Sequence, residues 1–498
     1  MSASPATTVE ARPGVRDLYR ELGTATVTGW SRAAPLVEAA VILAWFALRT
    51  FDLHPAAMFL WVVVAVLLAV LTPTSGLVVL AAIGPFNEGF LLTRDIGVKS
   101  LLALLLVASV GVRVAMGWRG WSTRRGWSRG REWVGARAPV LLAVLLLLGT
   151  AAGLAISRLR FGEDFFNSAS QIWFTGIGTT FLTFLAAVWV ARSGELRPLV
   201  VAFASASVAG LLSLVDFAWP EAFRTSVAAW TITGPPIARL TGVMRSPTST
   251  AALVMLPAVI CLAAVVLGRD LRLRIAAGLL SIPLLVAAYF TYNRAVFLAL
   301  FALAVVVAWR IRRAFAVALV VVGIVAGMAL LPRYLALRGE AAGGVPEPGQ
   351  VLLGSDLQRL EAWGAAIRMF AAEPLLGHGY RSYREVSPAF GGIALNAPHN
   401  EWLRLFAEGG IFVGLAGLAF VAATAWRLAE VRGWLGVGIL GAFLSFALAA
   451  SFNNPFLFNQ VTIPAFVIAG TGVALAGLQR AAPEVAPAVR DPEPAGGP

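Results

Sequence analysis

Fourteen apolar runs of 15–22 residues recur along this chain, at 34–49, 56–72, 75–92, 98–116, 138–157, 170–191, 198–215, 247–267, 275–292, 295–309, 314–331, 409–426, 435–452 and 461–478. A helix needs about 20 apolar residues to cross the hydrocarbon core of a bilayer. Inside that core every backbone N–H and C=O must be satisfied within the protein, so helices are the spanning element open to runs of this length. The recurrence therefore dictates a polytopic helical membrane protein. Composition agrees, with 59% of the 498 residues hydrophobic and 13% charged, against about 25% charged in soluble domains. A soluble enzyme, a disordered chain and a disulfide scaffold are excluded. The third run is interrupted by Gly84-Pro85-Phe86-Asn87-Glu88, and is expected to break or re-enter the membrane, which is tolerated where protein covers the backbone.

The net charge of +13 would suggest nucleic acid for a soluble protein. Here it has a membrane explanation, and no nucleic-acid partner is expected. Cytoplasmic loops are enriched in Lys and Arg. With both termini inside, the inside segments hold 23 of the 39 basic residues. The segment 117–137 is the strongest, with Arg119, Arg124, Arg125, Arg129, Arg131 and Arg137; 268–274 and 310–313 agree with it. The expected organisation is a cytoplasmic tail over 1–33, membrane helices over 34–331, a large external loop over 332–408, further membrane helices over 409–478, and a Pro/Ala-rich cytoplasmic tail over 479–498. The polar first 33 residues read as a tail rather than a cleavable leader. The single cysteine, Cys261, supports neither an internal disulfide nor a thiolate metal site.

The external loop opens with a flexible Gly/Pro segment at 339–350 and then becomes denser. Leu357, Leu360, Trp363, Ala366, Ile367 and Phe370 recur at helical spacing, so 356–372 reads as an amphipathic helix. Glu373-Pro374 ends it and Gly377 and Gly379 make a turn. Residues 399–408 read as a second helix entering the next span. The loop is thus structured.

Charged groups at the outer membrane face are costly and tend to be functional. Three clusters stand there: 237–247 with Arg239 and Arg245, Tyr292-Asn293-Arg294-Ala295, and Asn396-Ala397-Pro398-His399-Asn400-Glu401-Trp402. Arg294 sits in a tight turn between two apolar helices. It either snorkels to the headgroups or uses its fork of donors to hold phosphate oxygens. Arg239 and Arg245 carry the same two readings. His399 either caps the helix that follows or serves as general base for a hydroxyl nucleophile, its ordinary pKa suiting that task. His378 lies in a Gly-rich turn. No zinc spacing, Gly-rich phosphate loop, paired-carboxylate site or DxD pattern is present, so no metal or other cofactor is expected.

At these residues the sequence resembles the O-antigen ligase family, which also takes in O-antigen polymerases and some protein O-oligosaccharyltransferases. The pieces are Arg239-Leu240-Thr241-Gly242, Tyr292-Asn293-Arg294-Ala295, Arg359 and Trp363 leading to Glu373-Pro374-Leu375-Leu376-Gly377-His378-Gly379, His399-Asn400-Glu401-Trp402-Leu403, and Glu408-Gly409-Gly410-Ile411. Two departures stand out: Ser246-Pro247-Thr248 in place of Asn-Pro-Asn, and Asn293 where Ser or Thr usually precedes the arginine. The resemblance implies an all-α, GT-C-like membrane fold of about 12–14 transmembrane helices with one large structured external loop, sited in the cytoplasmic (inner) membrane with its active site on the external, periplasmic side. It further implies metal-independent, inverting transfer of a glycan from a polyprenyl diphosphate carrier to the hydroxyl of a glycan, lipid or protein, in cell-envelope polysaccharide biosynthesis. His399, Arg294 and Arg239 become the catalytic candidates: the arginines neutralise the leaving diphosphate and His399 takes the acceptor proton. Arg245, Arg359, Trp363, His378, Tyr380, Asn400 and Glu401 become the substrate-binding candidates. Arg359 and Trp363 would roof the site, and the lipid tail would lie between spans.

A polymerase of the same family uses the same donor with another acceptor, and a peptidoglycan-type polymerase is a more distant reading. The rival from another class is a flippase of lipid-linked sugars. It calls for charges near mid-membrane and commonly an internal repeat, whereas here the charges gather at span ends and no repeat is visible.

Overall fold

The computed structural model describes residues 29–50, 55–86, 97–115, 133–219, 240, 242, 246–322, 324, 325, 328 and 354–481. The described residues form helices and no strands. In chain order these are α1 (Gly29–Thr50), α2 (Pro55–Leu71), α3 (Pro73–Ile83), α4 (Val98–Ala115), α5 (Trp133–Phe161), α6 (Glu163–Trp173), α7 (Thr179–Ala191), α8 (Arg197–Ala218), α9 (Pro247–Leu267), α10 (Leu271–Phe290) and α11 (Arg294–Ile311). They continue with α12 (Arg313–Val322), α13 (Gly354–Ala372), α14 (Tyr383–Val386), α15 (Glu401–Ala429), α16 (Gly433–Ala450) and α17 (Asn459–Ala481). Among the described residues ten helices are long and apolar enough to cross a membrane, accompanied by shorter apolar helices at Ala56–Leu71, Pro73–Ile83 and Arg313–Val322. The chain is an all-helical polytopic membrane protein.

Two groups of packed helices make the membrane region. In one, α17 lies against α7 and α15 against α5. Their shared centre is aromatic: Phe420 stacks on Phe466 with ring centroids 5.9 Å apart, and Phe181 meets Phe420 and Phe466 edge-on at 5.2 and 5.5 Å. In the other, α9 is sandwiched between α10 and α16, and α11 lies along α16. Lipid tails are as apolar as leucine, so fit decides which faces turn inward. Outward faces keep large side chains such as Leu415, Leu418, Leu279 and Phe59 exposed, as a bilayer-facing surface requires.

The interrupted third run is indeed a broken element. Helix α3 stops at Ile83 after 11 residues, too short to cross at 1.5 Å per residue. The carbonyls beyond the break are taken by the chain's one lysine. Lys99, wholly buried, donates through Nζ to the carbonyls of Gly84 at 2.9 Å and Phe86 at 2.5 Å, and reaches Asn459 Oδ1 at 3.5 Å. A second irregularity lies between α6 and α7, where Phe174–Gly178 is a π turn. A Cβ on Gly176 would stand 2.2 Å from the Phe456 carbonyl, so only glycine lets the 451–458 turn approach there. Both irregularities bring backbone to the end of the bundle that carries residues 354–400, termed the loop end below. Lys99→Met is expected to orphan the two carbonyls at about 1–3 kcal/mol each, read as a lowered Tm of the purified protein.

Candidate functional site

The spacing Glu401-x-x-Arg404-x-x-x-Glu408 puts three charges on one helical face. All three are buried. Arg404 donates from Nε to Glu401 Oε1 at 2.9 Å, closes a second bond to the same oxygen from Nη2, and donates from Nη1 to Glu408 Oε2 at 3.3 Å. Glu408 also accepts the Arg381 N–H at 2.9 Å and the Tyr383 N–H at 3.3 Å. The Tyr380 ring lies 5.3 Å from the Arg404 guanidinium carbon. Burial raises the Tyr380 phenol to about 12, so it stays protonated. One arginine thus fastens the turn after α13 to the start of α15.

A backbone exchange reinforces this fastening. Gly410 breaks α15 with φ 67° and ψ −169°, and the carbonyls just before the break lose their helical partners. Ala407 O accepts from His378 N–H at 3.1 Å and Glu408 O from Gly379 N–H at 2.9 Å, while Ile411 N–H turns to Pro374 O at 2.8 Å. Close approach demands glycine on both sides, since a Cβ at Gly410 would meet Leu375 O at 2.2 Å and one at Gly377 would meet the Glu408 carbonyl at 2.5 Å. The far side of the turn is pinned to α5, where Ser157 Oγ donates to Tyr380 O at 2.7 Å and Tyr380 N–H to Gly153 O at 3.0 Å.

Three of the expected substrate contacts are internal to this clasp. His378 is buried, its Nε2 bonded to Met369 O at 3.0 Å and its Nδ1 facing Arg160 Nη1 at 3.3 Å. Those partners fit a neutral ring, and burial lowers its pKa in the same direction. Tyr380 and Glu401 are equally enclosed. All three side chains are enclosed within the clasp in this structure. Arg404 was not among the residues singled out from sequence, although its spacing to Glu401 and Glu408 was the signal for it.

His399 stands immediately outside α15 with a left-handed backbone, φ 54°. Asn400, not His399, is the N-cap: its Oδ1 accepts the Leu403 N–H at 3.1 Å. Capping therefore does not account for the histidine. His399 is half-buried, and among the described residues its ring makes no hydrogen bond. Burial, and then the positive charge of Arg359, hold its pKa below the ordinary value, so at neutral pH it is an uncharged imidazole able to accept a proton. Among the described residues the non-glycine positions with φ in the left-handed region are Tyr292, Arg381 and His399. Each lies in or beside one of the motif segments, and such strain tends to gather at functional sites.

Arg359 and Trp363 follow each other by one turn on α13. The helix forms as expected but turns differently. Its buried face is Ala362, Ala365, Ala366 and Met369, while Leu357, Leu360 and Ile367 are exposed. Small side chains permit closer approach to α15 than the leucines would. Trp363 stays half-buried and meets Phe452 with ring centroids 6.3 Å apart. From α15, Trp402 Nε1 donates to Ser451 Oγ at 3.1 Å. Both tryptophans thus rest on the turn between α16 and α17.

Arg294 opens α11, whose N-cap is Asn293, Oδ1 accepting the Ala295 N–H at 3.0 Å. It is half-buried. Leu303 of α11 faces Gly441 of α16, and these helices run in opposite directions between the two ends of the bundle. Nine residues further toward the loop end on each helix, that register sets Arg294 level with Ala450, next to the turn that Trp363 and Trp402 touch. Leu240 is tied to the same place, its N–H donating to Phe290 O at 2.9 Å. Arg239 and Arg245 lie outside the described residues. Among the described residues no group of three His, Cys, Asp or Glu side chains gathers to hold a metal.

Residues 279–419 match the family model described as O-antigen ligase. The matched segment runs from within α10 into the spanning part of α15, and contains Arg294, Arg359, Trp363, His399 and the Arg404 network. No curated protein matches the chain.

Arg404→Leu leaves two buried carboxylates without their cation and is expected to cost about 3–5 kcal/mol, measured as a loss of Tm. Arg359→Gln removes a positive charge that lowers the His399 pKa. If His399 works as a base, activity falls as pH drops through its pKa. The acid limb of the pH–rate profile is then expected to move to higher pH in the variant.

Proposed function

We propose that this protein, whose residues 279–419 match the O-antigen ligase family model, transfers a glycan from a polyprenyl diphosphate carrier to an acceptor hydroxyl at the outer face of the cytoplasmic membrane. The observation that carries the reading is His399: a half-buried histidine held in a left-handed backbone, its pKa lowered by burial and by Arg359.

In the reaction the acceptor hydroxyl oxygen attacks the anomeric carbon of the donor glycan. The new C–O bond forms from the face opposite the departing diphosphate, so configuration inverts. The bond between anomeric carbon and diphosphate oxygen breaks, and polyprenyl diphosphate leaves with the electron pair. His399 accepts the hydroxyl proton. Arg294 meets the negative charge that develops on the leaving oxygen, the kind of fixed donor that acts most strongly where charge appears. Arg239 is the second arginine proposed to meet that charge. Arg359 keeps His399 neutral, and Trp363 offers a flat apolar face for a sugar ring. Ligation and polymerisation share every one of these steps and differ in the molecule that bears the hydroxyl. The proposed side of the membrane is supported by the arginine-rich segments 268–274 and 310–313, since cytoplasmic loops are enriched in Lys and Arg.

His399→Ala is expected to lower transfer by about 10²–10⁴-fold, the ordinary worth of a general base, and Arg294→Ala by about 10²–10³-fold, with insertion unchanged. Lipid-linked glycan analysis in cells tests this. Cells with either variant or a deletion should accumulate polyprenyl diphosphate glycan on the outer face and lose a mature envelope polymer. Accumulation on the inner face instead would mean that the protein moves its substrate, and would overturn the proposal.

A further inference from the structure

The turn between α16 and α17 has no part in the chemistry just described, yet it holds polar groups that the fold does not use. Asn453 and Asn454 are 7% and 3% exposed. Among the described residues neither Asn453 Nδ2 nor Asn454 Oδ1 has a hydrogen-bond partner. Asn454 occupies the N-cap position of the 3-10 turn Pro455–Leu457, but its side chain does not cap it, which removes the usual structural reason for asparagine there. Buried polar atoms without partners are rare and costly. Here two occur in succession, beside a third: Trp363 Nε1 is also buried and unpartnered, and its ring meets Phe452, the residue before Asn453. An indole N–H, an amide N–H and an amide carbonyl oxygen thus stand unused in one neighbourhood.

The turn also has a telling position. On the α16 side the helix register sets Arg294 level with Ala450. On the α15 side Trp402, three residues after His399, is bonded to Ser451. We propose that Asn453 and Asn454, together with Trp363, form a carbohydrate subsite that holds the sugar attached to the diphosphate of the lipid-linked donor. This rests on the glycan-transfer reading given above. Neighbouring sugar hydroxyls each donate and accept, and an asparagine amide offers one of each; an aromatic face takes the apolar side of the ring. With the diphosphate at Arg294 and the acceptor oxygen at His399, the sugar between them falls over this turn. Asn453 and Asn454 make and break no bonds. They fix the sugar so that its anomeric carbon faces the acceptor.

Binding by the purified full-length protein in nanodiscs tests the subsite with two probes: bare polyprenyl diphosphate, and the polyprenyl diphosphate glycan extracted from deletion cells. Asn453→Ala and Asn454→Ala should each weaken the glycan-bearing lipid at least tenfold, bind the bare lipid as wild type does, and melt no lower than wild type, because a buried polar atom without a partner has been removed. Asn454→Ser is the second variant should the alanine form fail to fold, with the same selective loss expected. Wild-type affinity of the variants for the glycan-bearing lipid overturns the subsite while leaving glycan transfer standing. So does an equal loss for both lipids with a lowered Tm, since that is the mark of a structural role. Failure of wild type itself to bind the glycan-bearing lipid overturns the transfer reading and the subsite with it.

Discussion

The loop end of this protein depends on one buried cation. Arg404 neutralises Glu401 and Glu408 inside the protein, and Glu408 in turn receives the backbone of Arg381 and Tyr383. Without the arginine, two carboxylates would be stranded in a medium where an unpaired charge is expensive. With it, three separate stretches of chain, at 377–383, 399–408 and α5, become one rigid piece. Such a piece is needed because His399 itself is on no helix. Its left-handed backbone stands between Pro398 and the capped start of α15, and is held by what surrounds it rather than by regular structure.

The same logic governs the rest of the loop end. Wherever regular helix gives out, a specific group takes up the orphaned backbone: Lys99 at the end of α3, the Gly377–Gly379 turn at the Gly410 break, and Asn293 and Asn400 at two helix starts. At the same end the turn at 451–458 touches α13 and α15 through Trp363 and Trp402 and is admitted by Gly176. In the proposed reaction the charge that develops is a diphosphate, and arginine, always protonated and with fixed donors, is suited to receive it.

Much of this was legible in the sequence because a membrane span is a one-dimensional signal. Apolar length alone located the helices and also the flaw in the third run at Gly84-Pro85. The segments around Arg294 and His399 stood out as well, through charge placed where a membrane protein avoids it. What stayed hidden is three-dimensional. The period of α13 marked an amphipathic helix, but its buried face is made by Ala362, Ala365, Ala366 and Met369, and Leu357, Leu360 and Ile367 are left outside. Periodicity gives a face and not the partner that fits it. His399 and Asn400 both suited a cap, and only backbone geometry chose between them. Arg404 had a readable spacing, yet the same spacing on an exposed helix signals only a surface ion pair. Asn453 and Asn454 had no sequence signal, because an unpartnered amide is visible only when its surroundings are known.

In the proposed reaction this chain breaks the bond between a glycan and its polyprenyl diphosphate and makes a new one to a hydroxyl. Purified protein in proteoliposomes, supplied with the polyprenyl diphosphate glycan and a hydroxyl-bearing glycan acceptor, tests it directly. Free polyprenyl diphosphate is expected to appear in step with elongated or newly linked acceptor, one for one. Passage of intact donor from one leaflet to the other, with no polyprenyl diphosphate released, would contradict it.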